Sequence, residues 1–354
     1  QFDNDIFGVR FSLDGNFDMN DNTYFWSVGY QQNVASYDQT GYNYINLANL
    51  RNAVGPSFKR TDGTFGCGTP SDTITGCVPF NAFGGPDMGL SAGVITQNVY
   101  DQIVKYVGYT LQGQSGFDSE DFWAEISGPM FEMPYGVAYF AAGYEVRNQG
   151  YYERPDPLVA GGLSSTNFQE ATRGKTGSEE FFIEMNFPLL NGVVGAQELE
   201  MTLSARSSEF TSGGIVGSGS VANSPGEPST TEIGIRWRPI DDVLVRFTSG
   251  ETFRAPSVGT LYAGASESFP SLADPCNTVN FPLASSATQA NCVAQGVPAG
   301  GAPQLDSQLR ELRGGNPNLL PEEGENMTLG IVYTPSQVEG LSIVLDAWQI
   351  ELEN

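Results

Sequence analysis

The chain has 354 residues, with 16 Lys and Arg against 41 Asp and Glu for a formal net charge of −25, 43 Gly and 12% aromatic residues. So acidic a chain repels phosphate, which argues against a nucleic-acid partner, and the absence of histidine removes His-based acid–base chemistry and every His-containing metal site. No apolar run approaches the roughly 18 residues of a membrane-crossing helix, but a membrane-crossing strand needs only about ten residues of alternating character.

Alternation is what the sequence offers, in segment after segment. Val9, Phe11, Leu13 and Phe17 share one parity, while Arg10, Ser12, Asp14 and Asn16 share the other. After the polar turn Asp18 to Asn22, Tyr24, Trp26, Val28 and Tyr30 oppose Ser27, Gly29 and Gln31. Phe122, Ala124, Ile126 and Met130 oppose Glu125 and Ser127; Ala138, Phe140, Ala142, Tyr144 and Val146 oppose Glu145 and Arg147. Ile183, Met185 and Phe187 form the next apolar row, then Leu199, Met201, Leu203 and Ala205, then Ile233, Ile235 and Trp237. Val243, Val245 and Phe247 follow, and then Met327, Leu329, Ile331 and Tyr333. The last segment changes parity between Leu345 and Trp348, which predicts a bulge near Ala347. About ten strands result.

Connections alternate in length. Short ones fall at Asp18 to Asn22, Glu132 to Gly136, Leu190 to Ala196, Pro239 to Asp242 and Pro335 to Gly340. Long, polar, Gly-rich ones fall near 37–104, 148–178, 208–229 and 251–323. Antiparallel strands with short turns at one end and long loops at the other fit an outer-membrane barrel, with Tyr24, Trp26, Trp237, Tyr333 and Trp348 as interfacial aromatics. A β-sandwich or a propeller also alternates, and a β-rich secreted or surface-attached binding protein, such as an adhesin or carbohydrate-binding module, is the competing reading. A propeller hydrolase should show blade repeats, and none is evident.

The four cysteines form two close pairs, Cys67 with Cys77 and Cys276 with Cys292, each in a Gly/Pro/Ser/Thr-rich stretch. Local disulfides in an oxidising compartment are the natural reading, each adding roughly 3 kcal/mol by closing a loop. A four-thiolate zinc site is the rival, although neither pair has the short gap of a zinc knuckle. No nucleophile–base set or phosphate-binding loop is present, so no catalysis, cofactor or metal is implied.

From Trp237 onward the sequence resembles the barrel of TonB-dependent receptors. Gly250-Glu251-Thr252-Phe253-Arg254-Ala255-Pro256-Ser257 is similar to the family's strand ending in a Gly-Phe-Arg-Ala-Pro-Ser element, with Thr252 in place of the usual Gly. Asp274-Pro275-Cys276 with Cys292 looks like its disulfide-bearing loop, and Gly314-Gly315-Asn316-Pro317-Asn318-Leu319-Leu320-Pro321-Glu322 like its Gly-Asn-Pro element. Ile126-Ser127-Gly128 through Pro134-Tyr135-Gly136, and Ala141 through Arg147, are similar to an earlier hairpin of the same group.

The resemblance implies a partial transmembrane β-barrel over residues 1–354, in the bacterial outer membrane. Its lipid would be one partner, and a scarce solute such as a ferric siderophore or an oligosaccharide would be taken up. The TonB complex, acting through a plug domain that is not in this sequence, would supply the energy. Ten strands left open would expose two unpaired edges, so the chain is expected to be the middle of a longer receptor. Arg147, Tyr151, Tyr152, Arg154 and Arg173 are candidates to meet an anionic, aromatic chelate through charge and stacking, and Arg254 to contact ligand as well. The acidic balance leans instead toward a neutral sugar or peptide.

Overall fold

The computed structural model describes residues 1–85, 88–217 and 219–353; Pro86, Asp87 and Ser218, inside two of the expected loops, lie outside it, as does Asn354. Ten strands hydrogen-bond in chain order, every pair antiparallel: β1 (Phe2–Met19), β2 (Asn22–Ile45), β3 (Gly108–Met133), β4 (Gly136–Arg154), β5 (Thr172–Val193), β6 (Ala196–Val216), β7 (Ser229–Ile240), β8 (Val243–Arg254), β9 (Glu322–Tyr333) and β10 (Ile343–Glu353). Gly219–Gly226 folds back on β6 alone, and β1 and β10 end the sheet without pairing to each other.

The turns at one end are tight. Asn20 and Asp21 both take positive φ, 51° and 62°, the left-handed pair that a two-residue hairpin matched to strand twist requires. Only the β9–β10 turn, 334–342, is longer. At the opposite end lie the long connections. The strands run further into these than the alternation showed: β2 continues to Ile45, β4 to Arg154 and β6 to Val216, while β5 begins at Thr172. The connections proper are therefore 46–107, 155–171, 217–228 and 255–321. The polar stretches read as loop are paired into the sheet through their backbones, and nothing in their side chains announces that.

Register shifts fall at Pro129/Phe131, Pro188/Leu190 and Trp237/Ile240, the last spanning Pro239. Proline has no N–H to give the ladder, so a bulge is where a strand can accept it. The bulge expected near Ala347 is absent. Pairing of β9 with β10 is unbroken from Tyr333↔Ile343 to Glu323↔Glu353. The parity change is therefore real: Trp348, Ile350 and Leu352 lie on the opposite face from Ile343 and Leu345, so Trp348 does not join the other four interfacial aromatics.

The two faces differ in kind. One carries Phe11, Leu13, Phe181, Leu329 and Leu345, all exposed, Phe11 and Leu345 each at 69%. The other carries Arg10, Asp121, Glu145, Arg147, Glu180, Arg206, Arg236 and Arg246. Among the described residues no second sheet covers the apolar face. The buried clusters lie at the long connections, one around Ala53, Cys67, Cys77, Met88, Ile103 and Val107, the other around Val258, Leu261 and Tyr262. A sandwich would have its core between two sheets, so that reading is excluded. An apolar face this large, left bare, calls for a membrane.

Glycines admit rings across strands. The Trp123 ring lies so close to Gly29 that a Cβ there would stand 2.1 Å from it, and the Arg10 guanidinium lies 4.8 Å from the centre of the same ring. Gly29→Val should expel this ring and cost about 1–3 kcal/mol. The check is the temperature at which the folded band of the unheated protein disappears on gels, and an unchanged midpoint would remove the packing role assigned to Gly29.

Candidate functional site

On the polar face, β3, β4, β5 and β6 bring a chain of charges together. Arg147 donates from Nε to Asp121 at 2.7 Å and from a terminal nitrogen to Glu145 at 2.6 Å. Arg206 bridges Glu145 at 3.1 Å and Glu180 at 2.5 Å. Glu180 is buried, with 8% of its side chain exposed, and also accepts from the Ser178 and Ser208 hydroxyls at 2.9 and 3.2 Å. A buried carboxylate persists only when its lone pairs are engaged, and these partners engage them. Above the network opens a cleft of about 520 Å³, bounded by Gln149, Thr176, Arg206, Phe210 and the Thr252–Ser257 segment. Phe210 and Phe253 meet edge to face there, ring centres 5.4 Å apart.

Past Arg254 the chain leaves the sheet. Arg254 pairs with Glu322, directly opposite it in register, at 2.9 Å. Pro256 ends the ladder, and Ser257 caps a short helix, α1 (Val258–Tyr262), by accepting from the Thr260 N–H. This helix drives Tyr262 into a slot between Gly174 and Gly214, which pair with each other across β5 and β6. A Cβ at either glycine would come within 3 Å of the ring. The Tyr262 and Ser212 hydroxyls are 2.8 Å apart, so the fully buried phenol is satisfied.

The connection 155–171 ties its two larger neighbours together. Toward the first, the Leu47 N–H donates to Leu163 O at 2.8 Å, the Ser165 N–H to Ile45 O at 3.0 Å, and the Tyr109 hydroxyl to Ser164 Oγ at 2.6 Å. Toward the last, the Glu267 N–H donates to Phe168 O at 2.9 Å and the Glu170 N–H to Ala265 O at 2.8 Å. The Glu267 carboxylate accepts from the Phe168 N–H and from Arg310. Both disulfides form as paired in the sequence. Cys67–Cys77 lies within the buried cluster of 46–107, and Cys276–Cys292 anchors α2 (Ser286–Ala294).

The six candidate ligand residues do not converge. Arg147 and Arg254 border the same cleft. Tyr151, on the polar face, packs against the α1 cluster, its hydroxyl 3.4 Å from Glu153. Tyr152 has the opposite parity; its ring lies over Gly116, with the Arg154 guanidinium 4.9 Å from its centre. Arg173 stands across from Tyr152 in register. Arg154 borders a second groove with Asp38, Gln114 and Gln169. Sequence reasoning missed Glu145, Glu180 and Arg206, and it missed Tyr262, for which Gly174 and Gly214 within strands were the available signal.

A family model described as TonB dependent receptor-like, beta-barrel, matches residues 1–354. The chain belongs to that family. Among solved structures, the alcaligin outer membrane receptor FauA of Bordetella pertussis is 11% identical, with a TM-score of 0.42, over 98% of this chain and 44% of its own. A mutant of the ferric enterobactin receptor PfeA of Pseudomonas aeruginosa is 13% identical, with a TM-score of 0.33, over 98% and 53%. The siderophore receptor PirA of Pseudomonas aeruginosa is 10% identical, with a TM-score of 0.28, over 99% and 52%. The chain thus spans about half the length of these structures. A comparison with curated proteins finds no match. In a receptor barrel the apolar face meets lipid and the polar face lines the lumen, which places the charge network and its cleft on the lumenal wall.

Two outcomes follow for this receptor barrel. Arg206→Ala leaves Glu180 with only two hydroxyls and should cost roughly 2 kcal/mol, less than a fully buried pair because the arginine is itself part-exposed. Pairing Arg206→Met with Glu180→Gln should return most of that loss in urea denaturation. In the long connections, Arg310, and then the Phe168 amide, hold the Glu267 carboxyl below its ordinary value. A value lowered by folding stabilises above the unfolded value and is lost as pH falls through the folded one. Exchange protection of the Glu170 and Glu267 amides, corrected for intrinsic rate, should hold from neutrality into mild acid and then fall. In Glu267→Gln it should be lower at neutrality and flat.

Proposed function

We propose that this chain forms the barrel of a bacterial outer-membrane receptor that takes up a scarce solute, with energy delivered by the TonB complex through a plug domain. The observation that carries this reading is the opposition of the two faces, a bare apolar one and an ion-paired one under tied connections. A sheet of that construction puts its apolar side chains in lipid, its charges around a water-filled lumen and its long loops at the outer surface. The loops capture the solute, the lumenal cleft holds it, and displacement of the plug opens the path inward. Family membership supports the assignment.

The test is accumulation of labelled solute by cells carrying the full-length receptor, with and without TonB. Uptake should fall to background without TonB, while receptor density and surface binding stay unchanged. Uptake that persists without TonB overturns the energy coupling, and recovery of the receptor in the soluble fraction overturns the membrane assignment.

A further inference from the structure

The charges in the lumenal cleft decide which class of solute it suits. An anionic ferric chelate is held by guanidinium groups with donors to spare and a locally positive field. Neither is present. Arg147 spends donors on Asp121 and Glu145, Arg206 on Glu145 and Glu180, and Arg254 on Glu322. Four carboxylates thus serve three guanidiniums, and the pairs were satisfied before any solute arrived. An anion approaching Arg206 would lie beside Glu145 and the buried Glu180, whose negative charges offset the arginine's. Arg254, with 79% of its side chain exposed, is the least committed, but it is a single charge at the rim.

What the cleft does offer is neutral. Gln149, Thr176, Thr230 and Thr252 present amide and hydroxyl groups, which donate and accept with equal ease. The paired carboxylates keep lone pairs that accept from hydroxyls. The half-buried Phe210–Phe253 pair supplies an apolar surface on which the C–H face of a sugar ring can lie. A volume of about 520 Å³ falls within the usual range for small-molecule sites. We infer that the solute held in this cleft is a neutral polyhydroxylated molecule, an oligosaccharide, and not an anionic ferric chelate. This inference rests on the uptake reading above and deepens it.

The experiment is titration calorimetry on the purified full-length receptor in detergent. The probes are three neutral hexasaccharides (an α-1,4-glucan, a β-1,4-glucan and a β-1,4-xylan), the tris(catecholate) complex of iron(III), and a neutral blocked tripeptide. Wild type should bind at least one saccharide and neither of the others. Phe253→Ala and the near-isosteric Thr176→Val should each weaken saccharide binding about tenfold or more, with the folded gel band unchanged. Glu145→Gln, which frees donors on both Arg147 and Arg206, should create binding of the iron complex that wild type lacks. Wild-type binding of the iron complex or the peptide, or of none of the saccharides, overturns the inference. Accumulation of the iron complex that depends on TonB would do so while leaving the uptake reading intact; no TonB-dependent accumulation of any of these solutes would overturn both.

Discussion

The backbone hydrogen-bond ladder is what everything else in this molecule rests on. Pairing in chain order satisfies the N–H and C=O groups of the eight inner strands sideways over most of their length, so the sheet needs no core behind it and can leave one face largely apolar. The places where the ladder would fail are few. Pro129, Pro188 and Pro239 lack donors, and each falls at a register shift toward the turn end of its strands. Beyond the sheet the chain must build cores of its own, and both of those are small. Disulfide Cys67–Cys77 sits inside one; Tyr262, inserted between paired glycines, centres the other.

The acidity of the chain is unevenly spent. Arginines are scarce, and several on the polar face pair with carboxylates across strands: Arg147 with Asp121 and Arg236 with Glu198 on the adjacent strand, Arg246 with Asp346 over Gly330 of the strand between. Cross-strand placement makes each pair a fastener as well as a neutralised charge. A lumenal wall built in this way is well hydrated yet weakly attractive to either sign. Such a surface suits passage of a solute recognised by many modest hydrogen bonds better than one seized by charge.

Alternation disclosed the strands because a period of two survives wherever one face is apolar. It located nearly every member of the apolar face, from Phe11 to Tyr333. It failed where both faces are polar: residues 37–45, 148–154 and 172–178 belong to strands, but Asp38, Asn148 and Thr176 look like loop. It also misled at Ala347, since a change of parity admits two explanations, a bulge or a real exchange of faces, and only the register separates them. The site was less legible still. Arg147 and Arg254 lie about a hundred positions apart, and their shared cleft exists because β7 starts only at Ser229, leaving β6 and the end of β8 to face each other across the gap. Glu180 looked like one of many solvated carboxylates; its burial depends on Arg206, Ser178 and Ser208 arriving from three positions that no local pattern links.

The seam along Leu163 to Glu170 has a meaning for inheritance. Surface loops on barrels are commonly thought of as exchangeable parts, each free to lengthen or vary without reference to its neighbours. Here the middle connection supplies backbone partners to Ile45 and Leu47 on one side and to Ala265 and Glu267 on the other. A graft that replaced it alone would orphan main-chain groups in both flanking connections, so its variation is constrained by two others. These three of the four long connections form one transplantable module, and a new specificity for this barrel would be bred by exchanging all three at once.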